Sequence, residues 1–374
     1  MGKKTEFLFL SEEDMVKVGV LDSVKCVDTL DEMFKLMGQG DYIMGGMNHN
    51  EHGIRIAFPD NPQFEGMPAN GPDRRFMAMP AYLGGRFHIA GEKWYGSNIA
   101  NPSRGLPRSV LMVMLNDVDT GEPVALCSGN LASAIRTGAV PGVAVRYLAK
   151  KSASTMGLVG AGPIQKACVQ GMMADAKNVK TMYCFDINPE AAAKFGDWAK
   201  ETYGVDFVVC PTMEDALKPS DIVSFATSRL RPVFVPKDAI KKGSLLIFTG
   251  AAKIEESLLA EGKVYFDNAK LHAASIDECK ADPAGLEAAL DYNMTGSVYR
   301  MILEGKLPPV LELPDLGGCA CGRDAGRTSD DDIIFCMTGG MAIEDLAWCH
   351  DLVETAKEQG VGTTLKLWDS PLWM

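Results

Sequence analysis

The sequence predicts an α/β protein that combines a doubly wound parallel sheet with a second, α+β domain. From about residue 150 onward, short β-branched and aromatic runs alternate with stretches of helical period, which is the pattern of βαβ units. The first 130 residues instead carry strand-like runs joined by Pro- and Gly-rich segments, which favours an antiparallel arrangement. A length of 374 residues also exceeds what one hydrophobic core usually supports, so we expect two domains.

The N-terminal elements are predicted to be one helix followed by strands. The helix is predicted at SVKCVDTLDEMFKLMGQG, and the strands at RRFMAMPAYLG and RSVLMVMLNDVDTGEPVALCSG. Within the last of these, DVDTGEP is typical of a hairpin turn, which favours pairing between neighbouring segments.

The central elements alternate between strand and helix. Strands are predicted at STMGLVG, VKTMYCFD, DFVVC, DIVSFATS, SLLIFTGA and KVYFDN, and helices at NPEAAAKFGDWAKETYG, TMEDALK and PKDAIKKG. Asn188 and Pro189 are predicted to begin the first of these helices, Gly204 to end it and Gly243 to end the last.

The final segment, IIFCMTGGMAIEDLAWCHDLVETAKEQG, predicts a strand, a Gly-Gly turn and a long amphipathic helix. Its pattern alone assigns it to neither domain.

Composition excludes several classes of partner. A net charge of −12 and the lack of a Lys/Arg cluster argue against nucleic acid binding. No run approaches the roughly 18 apolar residues of a membrane span, so we expect a cytoplasmic protein without membrane contact.

The ten cysteines are scattered through apolar runs and are expected to be reduced and mostly buried. Cys319 and Cys321 lack the spacing of a zinc site, and no metal is expected.

A glycine-rich turn in MGLVGAGPIQKACVQG is the strongest chemical motif. Gly160 and Gly162 follow a predicted strand and precede a predicted helix, and the acidic Asp186 ends the next strand. Pro163 suits the first helical position, and the amides of Ile164 and Gln165 remain available to a phosphate. Gln165 occupies the slot of the usual third glycine, which relaxes close helix-to-strand packing. The alternative is a plain strand-to-helix turn; we predict a dinucleotide site, with NAD(H) favoured over NADP(H) because a carboxylate repels a 2′-phosphate.

Several segments together resemble the ornithine cyclodeaminase/mu-crystallin family. The main one is SGNLASAIRTGAVPGVAVRYLAKKSASTMGLVGAGPIQ, and MPAY, GEKWYGSN, DIVSFATS and GRTSDDDIIFCMTGGMAIEDLA occur in the same order as in the family. The resemblance spans nearly the whole chain, with an apparent insertion around residues 56–75. It implies a Rossmann domain at 131–324 and a substrate-binding and dimerisation domain made of 1–130 and 325–374, in a homodimer.

The resemblance also implies residues that bind a substrate carboxylate. Arg136 and Lys93 are expected to line that pocket, because a guanidinium binds a carboxylate with two hydrogen bonds. A further arginine is expected on an early strand; Arg55 is our choice and Arg75 the alternative, since the insertion blurs the alignment. Asn98 and Gly340 are expected to contact the substrate, although a Gly339–Gly340 turn before a helix has a purely structural reading.

The cofactor is expected to contact the glycine-rich turn and neighbouring strand ends. Thr227 and Ser228 follow a predicted strand, although a helix cap is the alternative role. The expected cofactor-binding residues are Gly160, Ala161, Gly162, Pro163, Ile164, Gln165, Asp186, Ile187, Thr227, Ser228 and Thr137.

One departure from the family pattern bears on the reaction. In TGAAKIEESLL, Ala252 occupies the place of the aspartate that the cyclodeaminases use for the distal amine. A methyl group cannot transfer a proton, so ornithine cyclisation is disfavoured unless Glu255 or Glu256 substitutes. We therefore expect an NAD(P)H-dependent reductase or dehydrogenase of an imine or amino acid. The alternatives are an ornithine cyclodeaminase that forms proline and ammonia, and a non-catalytic protein that binds cofactor and a small ligand.

Overall fold

The computed structural model describes residues 2–228 and 232–373 and divides the chain into two compact units. Unit 1 consists of Met1–Asp22, Gly40–Arg136 and Met341–Met374. Unit 2 consists of Ser23–Gln39 and Thr137–Gly340. The predicted domain bounds at 130 and 325 therefore differ from these units, and the helix at Ser23–Gln39 lies in unit 2 instead of with the rest of the N-terminal segment.

The strands and helices of the described residues are as follows. The strands are β1 Thr5–Leu10, β2 Tyr42–Met44, β3 Ile54–Ala57, β4 Arg75–Leu83, β5 Ile89–Ser97, β6 Ser109–Asp117, β7 Pro123–Ser128, β8 Thr155–Val159, β9 Thr181–Phe185, β10 Asp206–Val209, β11 Ile222–Phe225, β12 Val233–Val235, β13 Leu245–Phe248, β14 Ala252–Ile254, β15 Lys263–Phe266, β16 Ile334–Met337 and β17 Thr363–Trp368. The helices are α1 Glu12–Lys17, α2 Ser23–Gln39, α3 Asn130–Leu148, α4 Pro163–Met172, α5 Pro189–Tyr203, α6 Met213–Leu217, α7 Glu256–Leu259, α8 Ala269–Ala281, α9 Leu286–Tyr292, α10 Gly296–Leu303, α11 Leu316–Cys321 and α12 Ala342–Gln359.

Unit 2 is built on a seven-stranded parallel sheet with the order β10-β9-β8-β11-β13-β16-β15. The chain adds β9 and β10 on one side of β8 and then crosses to add β11 and β13 on the other. The strand order therefore reverses between β8 and β11, the place where such sheets bind ligands beyond their carboxyl ends. The buried positions of β8 and β11 hold only apolar or small side chains. In the core, the ring of Phe225 on β11 stacks on the ring of Phe248 on β13, with their centroids 4.7 Å apart.

Helix α2 belongs to unit 2 because its apolar face packs against α11 and α4. A Cβ on Gly38 of α2 would lie 2.0 Å from the Gly317 carbonyl oxygen, so the two backbones touch. Gly138 on α3 and Gly171 on α4 allow a similar close approach within the same unit.

Unit 1 is built on an eight-stranded sheet with the order β17-β1-β7-β6-β5-β4-β2, and β3 also pairs with β4. The strands from β4 to β7 are antiparallel, and DVDTGEP forms the predicted hairpin connection between β6 and β7. Helix α12 packs on one face of β4, β5 and β6. The segment after the Gly-Gly turn thus completes the N-terminal unit, which its sequence pattern alone left unassigned.

One predicted helix is wrong, and one pairing of strands was missed. The segment PKDAIKKG forms only a short 3-10 turn at Lys237–Ala239 instead of a helix, because residues on both sides leave helical conformation within one turn. The pairing of β1 with β17 was missed, since the two strands are joined across nearly the whole chain. All cysteines except Cys321 are buried, as predicted. Among the described residues, no helix combines the length and apolarity needed to cross a bilayer.

Candidate functional site

The glycine-rich turn of unit 2 has the backbone that a nucleotide-binding turn needs. Gly160 has a φ of 101°, which side-chain-bearing residues rarely adopt, and its N–H donates to the Phe185 carbonyl at 2.8 Å. A Cβ at this position would lie 2.6 Å from the Ala226 carbonyl oxygen. Gly160 is therefore required by both the conformation of the turn and the close approach of the chain after β11.

The N-terminus of α4 leaves backbone donors for an anion. Gly162 is the N-cap residue and supplies no side-chain cap, and Pro163 occupies the first helical position as predicted. The first hydrogen bond of the helix runs from Lys166 to the Gly162 carbonyl at 3.1 Å, so the amides of Ile164 and Gln165 have no intrahelical acceptor. A Cβ on Gly162 would meet nothing within 4 Å, which leaves space over the turn. These features fit a pyrophosphate.

Asp186 lies at the end of β9 and contacts the same turn. One carboxylate oxygen accepts from the Ala161 N–H at 2.7 Å, and the other accepts from the Asn188 N–H at 2.8 Å. The next residue, Ile187, is 68% exposed. Asp186 is thus held beside the turn, where the sequence predicts a contact with a ribose hydroxyl, and it already accepts from one of the turn's amides.

The third-glycine slot holds a fully buried glutamine. Neither polar atom of the Gln165 side-chain amide has a hydrogen-bond partner among the described residues. Buried amides are normally satisfied, so this group is suited to a bound water or a ligand atom. Thr227 lies beside the turn, with its methyl carbon 3.4 Å from a Cβ placed on Gly160. Ser228 follows it and is exposed.

Four charged side chains form a buried cluster in unit 1, which we call the charge cluster: Lys93, Arg136, Glu344 and Asp345. The Lys93 ammonium donates to an Asp345 carboxylate oxygen at 2.8 Å. Arg136 pairs with both acids, through its Nη1 to Glu344 and through its Nε to Asp345 at 3.1 Å. The four side chains are between 0 and 7% exposed, so their charges are compensated chiefly by one another.

These four residues come from three elements that are far apart in the sequence. Lys93 lies on β5, paired with Met79 and Val113, and it points to the face that α12 covers. Arg136 lies on α3, five residues before Pro141, which falls inside the helix. Glu344 and Asp345 lie in the first turn of α12, where the helix dipole favours negative charge.

Burial and mutual attraction shift the proton equilibria of the cluster. Burial, followed by the neighbouring Arg136 charge, lowers the pKa of Lys93 from its ordinary value of 10.5, although Asp345 and Glu344 oppose the shift. Burial also disfavours the charge of Arg136, but the two carboxylates outweigh it and raise the pKa of the guanidinium. Burial disfavours the charge of Asp345 as well, and Arg136 and Lys93 outweigh it and lower the pKa of that carboxyl. Of the two cations, Lys93 is thus the one more easily converted to its neutral form.

Glu344 and Asp345 were missed by the sequence analysis. The available signal was the pair of acidic residues inside MAIEDLAWCHDLV, a segment with apolar residues on nearly all sides. Two adjacent carboxylates in an otherwise apolar helix need cationic partners when they are buried.

The alternative arginines both lie on unit 1 strands. Arg55 is on β3 opposite Met77 and is exposed, and Arg75 begins β4 opposite Ser97 and is 33% exposed at its side chain. The insertion around 56–75 consists of the end of β3 and the loop up to β4. Asn98 follows β5, and its side-chain oxygen accepts from the Ala100 N–H at 2.9 Å.

The Gly339–Gly340 turn of unit 2 is fixed by a buried aspartate. Asp267 accepts hydrogen bonds from the Gly339 and Gly340 amides at 2.6 and 3.0 Å. His272 contacts the other carboxylate oxygen at 3.0 Å and Tyr299 contacts His272 at 2.6 Å. Burial opposes the charge of Asp267, but His272 and these amides outweigh it and lower the pKa of the carboxyl. The turn therefore has a defined conformation, and sequence analysis did not identify Asp267.

The segment that carries the departure from the family pattern offers no replacement carboxylate. Ala252 is buried in β14. Glu255 accepts from the Lys237 N–H at 2.9 Å and from the Ser257 hydroxyl. Glu256 pairs with Lys306 at 2.8 Å. Both glutamates are therefore engaged within unit 2 by other groups.

Comparisons with known proteins agree with the predicted family resemblance and with the fold. The model of the ornithine cyclodeaminase/mu-crystallin family matches residues 20–360. The N-((2S)-2-amino-2-carboxyethyl)-L-glutamate dehydrogenase of Staphylococcus aureus (strain NCTC 8325 / PS 47) is 28% identical over 367 residues, which cover 97% of this chain and 99% of that protein. The Delta(1)-pyrroline-2-carboxylate reductase of Bacillus thuringiensis subsp. konkukian (strain 97-27) is 30% identical over 255 residues, which cover 68% and 74% respectively.

The fold also has close structural counterparts. An archaeal alanine dehydrogenase dimer with bound NAD matches with a TM-score of 0.76 at 24% identity, over 97% of this chain and all of that one. This likeness confirms the predicted fold class, a doubly wound parallel sheet with a second domain.

Proposed function

Because the chain belongs to the ornithine cyclodeaminase/mu-crystallin family, we propose that it is an NAD(H)-dependent reductase or dehydrogenase of an imine or amino acid. The observation that carries the proposal is the charge cluster, in which a buried lysine and a buried arginine are held by two carboxylates. Its relatives named above act on imines or amino acids, which supports the same class of substrate.

The cofactor would be held by unit 2. The amides of Ile164 and Gln165 would bind the pyrophosphate, and Asp186 the adenosine ribose. A carboxylate at this place repels a 2′-phosphate, which supports NAD(H) over NADP(H). A nicotinamide cofactor, when bound, supplies the acceptor or donor of the two electrons that interconvert an amine and an imine.

The residues of unit 1 would bind and protonate the substrate. Arg136, whose pKa is raised, stays charged and would hold the substrate carboxylate together with Arg55. Lys93, whose pKa is lowered, would exchange a proton with the substrate nitrogen. Asp345 would hold both cations in place, because it contacts each of them.

The arrangement favours net oxidation or reduction over cyclodeamination. A cyclodeaminase needs a group for the second amine, and Ala252 cannot supply it. Glu255 and Glu256 are both engaged elsewhere, which supports the reductase reading.

The test is turnover by the purified full-length protein. NADH oxidation is expected with cyclic imines or with 2-oxo acids plus ammonia or an amine, and Lys93→Met is expected to lose it. In the oxidative direction the rate should rise with pH through a midpoint below 10.5, because only neutral Lys93 accepts a proton. NADH binding without turnover on the whole panel would favour a non-catalytic binding protein, and conversion of labelled ornithine to proline would favour a cyclodeaminase.

We also infer that the chain forms a homodimer through the outer face of the unit 1 sheet. This face exposes Ile54, Ile56, Phe76, Val110, Met112 and Met114. A contiguous apolar surface of this kind marks an interface, and the alanine dehydrogenase counterpart is described as a dimer.

Light scattering should give twice the 40.3 kDa mass of one chain. The double change Val110→Glu/Met112→Glu should yield monomers, because it places charge in the apolar interface. Leu311→Glu, at an exposed leucine outside this face, is the control. A monomeric parent protein at micromolar concentration would contradict the inference.

A further inference from the structure

We propose that the substrate carries a second carboxylate and that Arg75 binds it, so that the protein acts on a dicarboxylic amino acid or imine. This inference rests on the proposed function and names the substrate class of the same site. It starts from the register of β3, β4 and β5, which places several cationic side chains on one face.

The register aligns these side chains in successive rows. Arg55 lies opposite Met77, which lies opposite Tyr95. On one side of this row, the next row on the same face pairs Arg75 with Ser97. On the other side, the next row on the same face pairs Met79 with Lys93. Residues directly opposite in an antiparallel pair share a face, so Arg55, Arg75 and Lys93 all lie on the face that α12 packs against.

Tyr95 links the two ends of this face. The Arg75 guanidinium carbon and the Lys93 ammonium nitrogen each lie 5.8 Å from the centroid of the Tyr95 ring. The two cations are therefore within twice that distance of each other. A substrate with a second carboxylate on a short carbon chain could therefore contact Arg75 while its nitrogen lies at Lys93.

Arg75 has unused hydrogen-bonding capacity. Its Nη1 donates to Asp73, but its Nε is buried and has no hydrogen-bond partner among the described residues. Asp73 is shared, since Arg108 also donates to it at 2.5 Å. Arg55 makes no ion pair within the described chain and is exposed. Arg55 has no ion pair, and Arg75 shares the charge of Asp73 with Arg108. Their guanidinium groups are therefore suited to bind an anion in the forked geometry that carboxylates accept.

The charge balance of this face gives the number of carboxylates. In the charge cluster, the Lys93 and Arg136 cations are matched by Glu344 and Asp345, so the cluster is neutral overall and adds no net charge to this face. Three further cations lie outside the cluster: Arg75 and Arg108 both pair with Asp73, and Arg55 has no ion pair among the described residues. Two positive charges are therefore in excess, which matches a substrate with two carboxylates and leaves one uncompensated with a monocarboxylate.

The test compares ligands that differ only in the second charge. Binding of L-glutamate and L-glutamine, and of L-aspartate and L-asparagine, is measured by calorimetry in the presence of NAD, and turnover is measured with the same pairs. We expect at least one acid to bind about tenfold more tightly than its amide, the typical effect of a charge-assisted hydrogen bond. Arg75→Gln should remove this preference and raise KM with little change in kcat.

Arg74→Gln is the matched control. Arg74 is the adjacent residue, is also partly buried, and donates to the Ala69 carbonyl instead of to the cationic face. It should leave the preference for the acids intact. Circular dichroism and urea unfolding of both variants show whether either change alters the fold.

The outcomes separate this inference from the proposed function. Turnover of monocarboxylates with no preference for any acid, or an unchanged preference in Arg75→Gln, would overturn the second-carboxylate site and leave the reductase intact. A charge preference that depends on Arg75, without turnover of any substrate, would support the site and refute the proposed function. Loss of the preference in Arg74→Gln with an intact fold would also count against Arg75 as the binding residue.

Discussion

Arg136→Met is expected to destabilise the protein by about 3–5 kcal/mol, because it leaves two buried carboxylates short of a cation. Turnover of any carboxylate substrate should fall on the order of 100-fold or more, since truncating a buried charged partner costs several kcal/mol of binding. Urea unfolding measures the first effect and steady-state kinetics the second.

A double variant separates the two effects. Arg136→Met/Glu344→Gln removes one stranded carboxylate and keeps the Lys93–Asp345 pair, which is balanced on its own. Stability should recover in part, because no unpaired charge stays buried, whereas turnover should stay low because the guanidinium is missing. Recovery of turnover along with stability would mean that Arg136 has only a structural role.

The partners in this cluster explain what the sequence could and could not predict. Lys93 and Arg136 were identified one at a time, each from its own segment. Glu344 is 208 residues from Arg136, and Asp345 is 252 residues from Lys93. A single sequence carries no sign of contacts over such distances, and acidic residues in the first turn of a helix have a sufficient local explanation in the helix dipole.

The choice between Arg55 and Arg75 shows a second limit of the same kind. From the sequence they were alternatives for one role, because the insertion between them blurred the alignment. The register of β3 on β4 places both on one face, in adjacent rows, so they are not exclusive. Strand register depends on pairing between segments, which the alternation within one strand does not reveal.

Local patterns were sufficient where the structure itself is local. The glycine-rich turn was predicted from a strand, two glycines, a proline and an acid, and all of them interact within one βαβ unit. The helix α5 begins and ends at its predicted residues, because Asn188 caps it and Gly204 takes up a left-handed conformation. The predicted bounds grouped α2 with the other N-terminal segments, whereas its contacts lie in unit 2, because the periodic face of a helix indicates burial but not the partner.

The two glycines of the turn allow a test that separates the effect of a substitution on stability from its effect on cofactor binding. Gly160→Ala should lower the free energy of unfolding by about 1–3 kcal/mol, because alanine is strained at a φ of 101° and its Cβ would overlap the Ala226 carbonyl. NADH binding, measured by fluorescence or calorimetry, should be lost with the shape of the turn.

Gly162→Ala should behave differently, because the backbone there has a φ of −84° and a Cβ meets nothing within 4 Å. Alanine in an unstrained position restricts the unfolded chain, so stability should stay the same or rise by about 0.4–1 kcal/mol. The added methyl group occupies the space over the turn where a pyrophosphate would lie, so NADH should bind at least about tenfold more weakly. A Gly162→Ala protein that keeps full affinity for NADH would place the pyrophosphate elsewhere, since no other property of this position changes with the substitution.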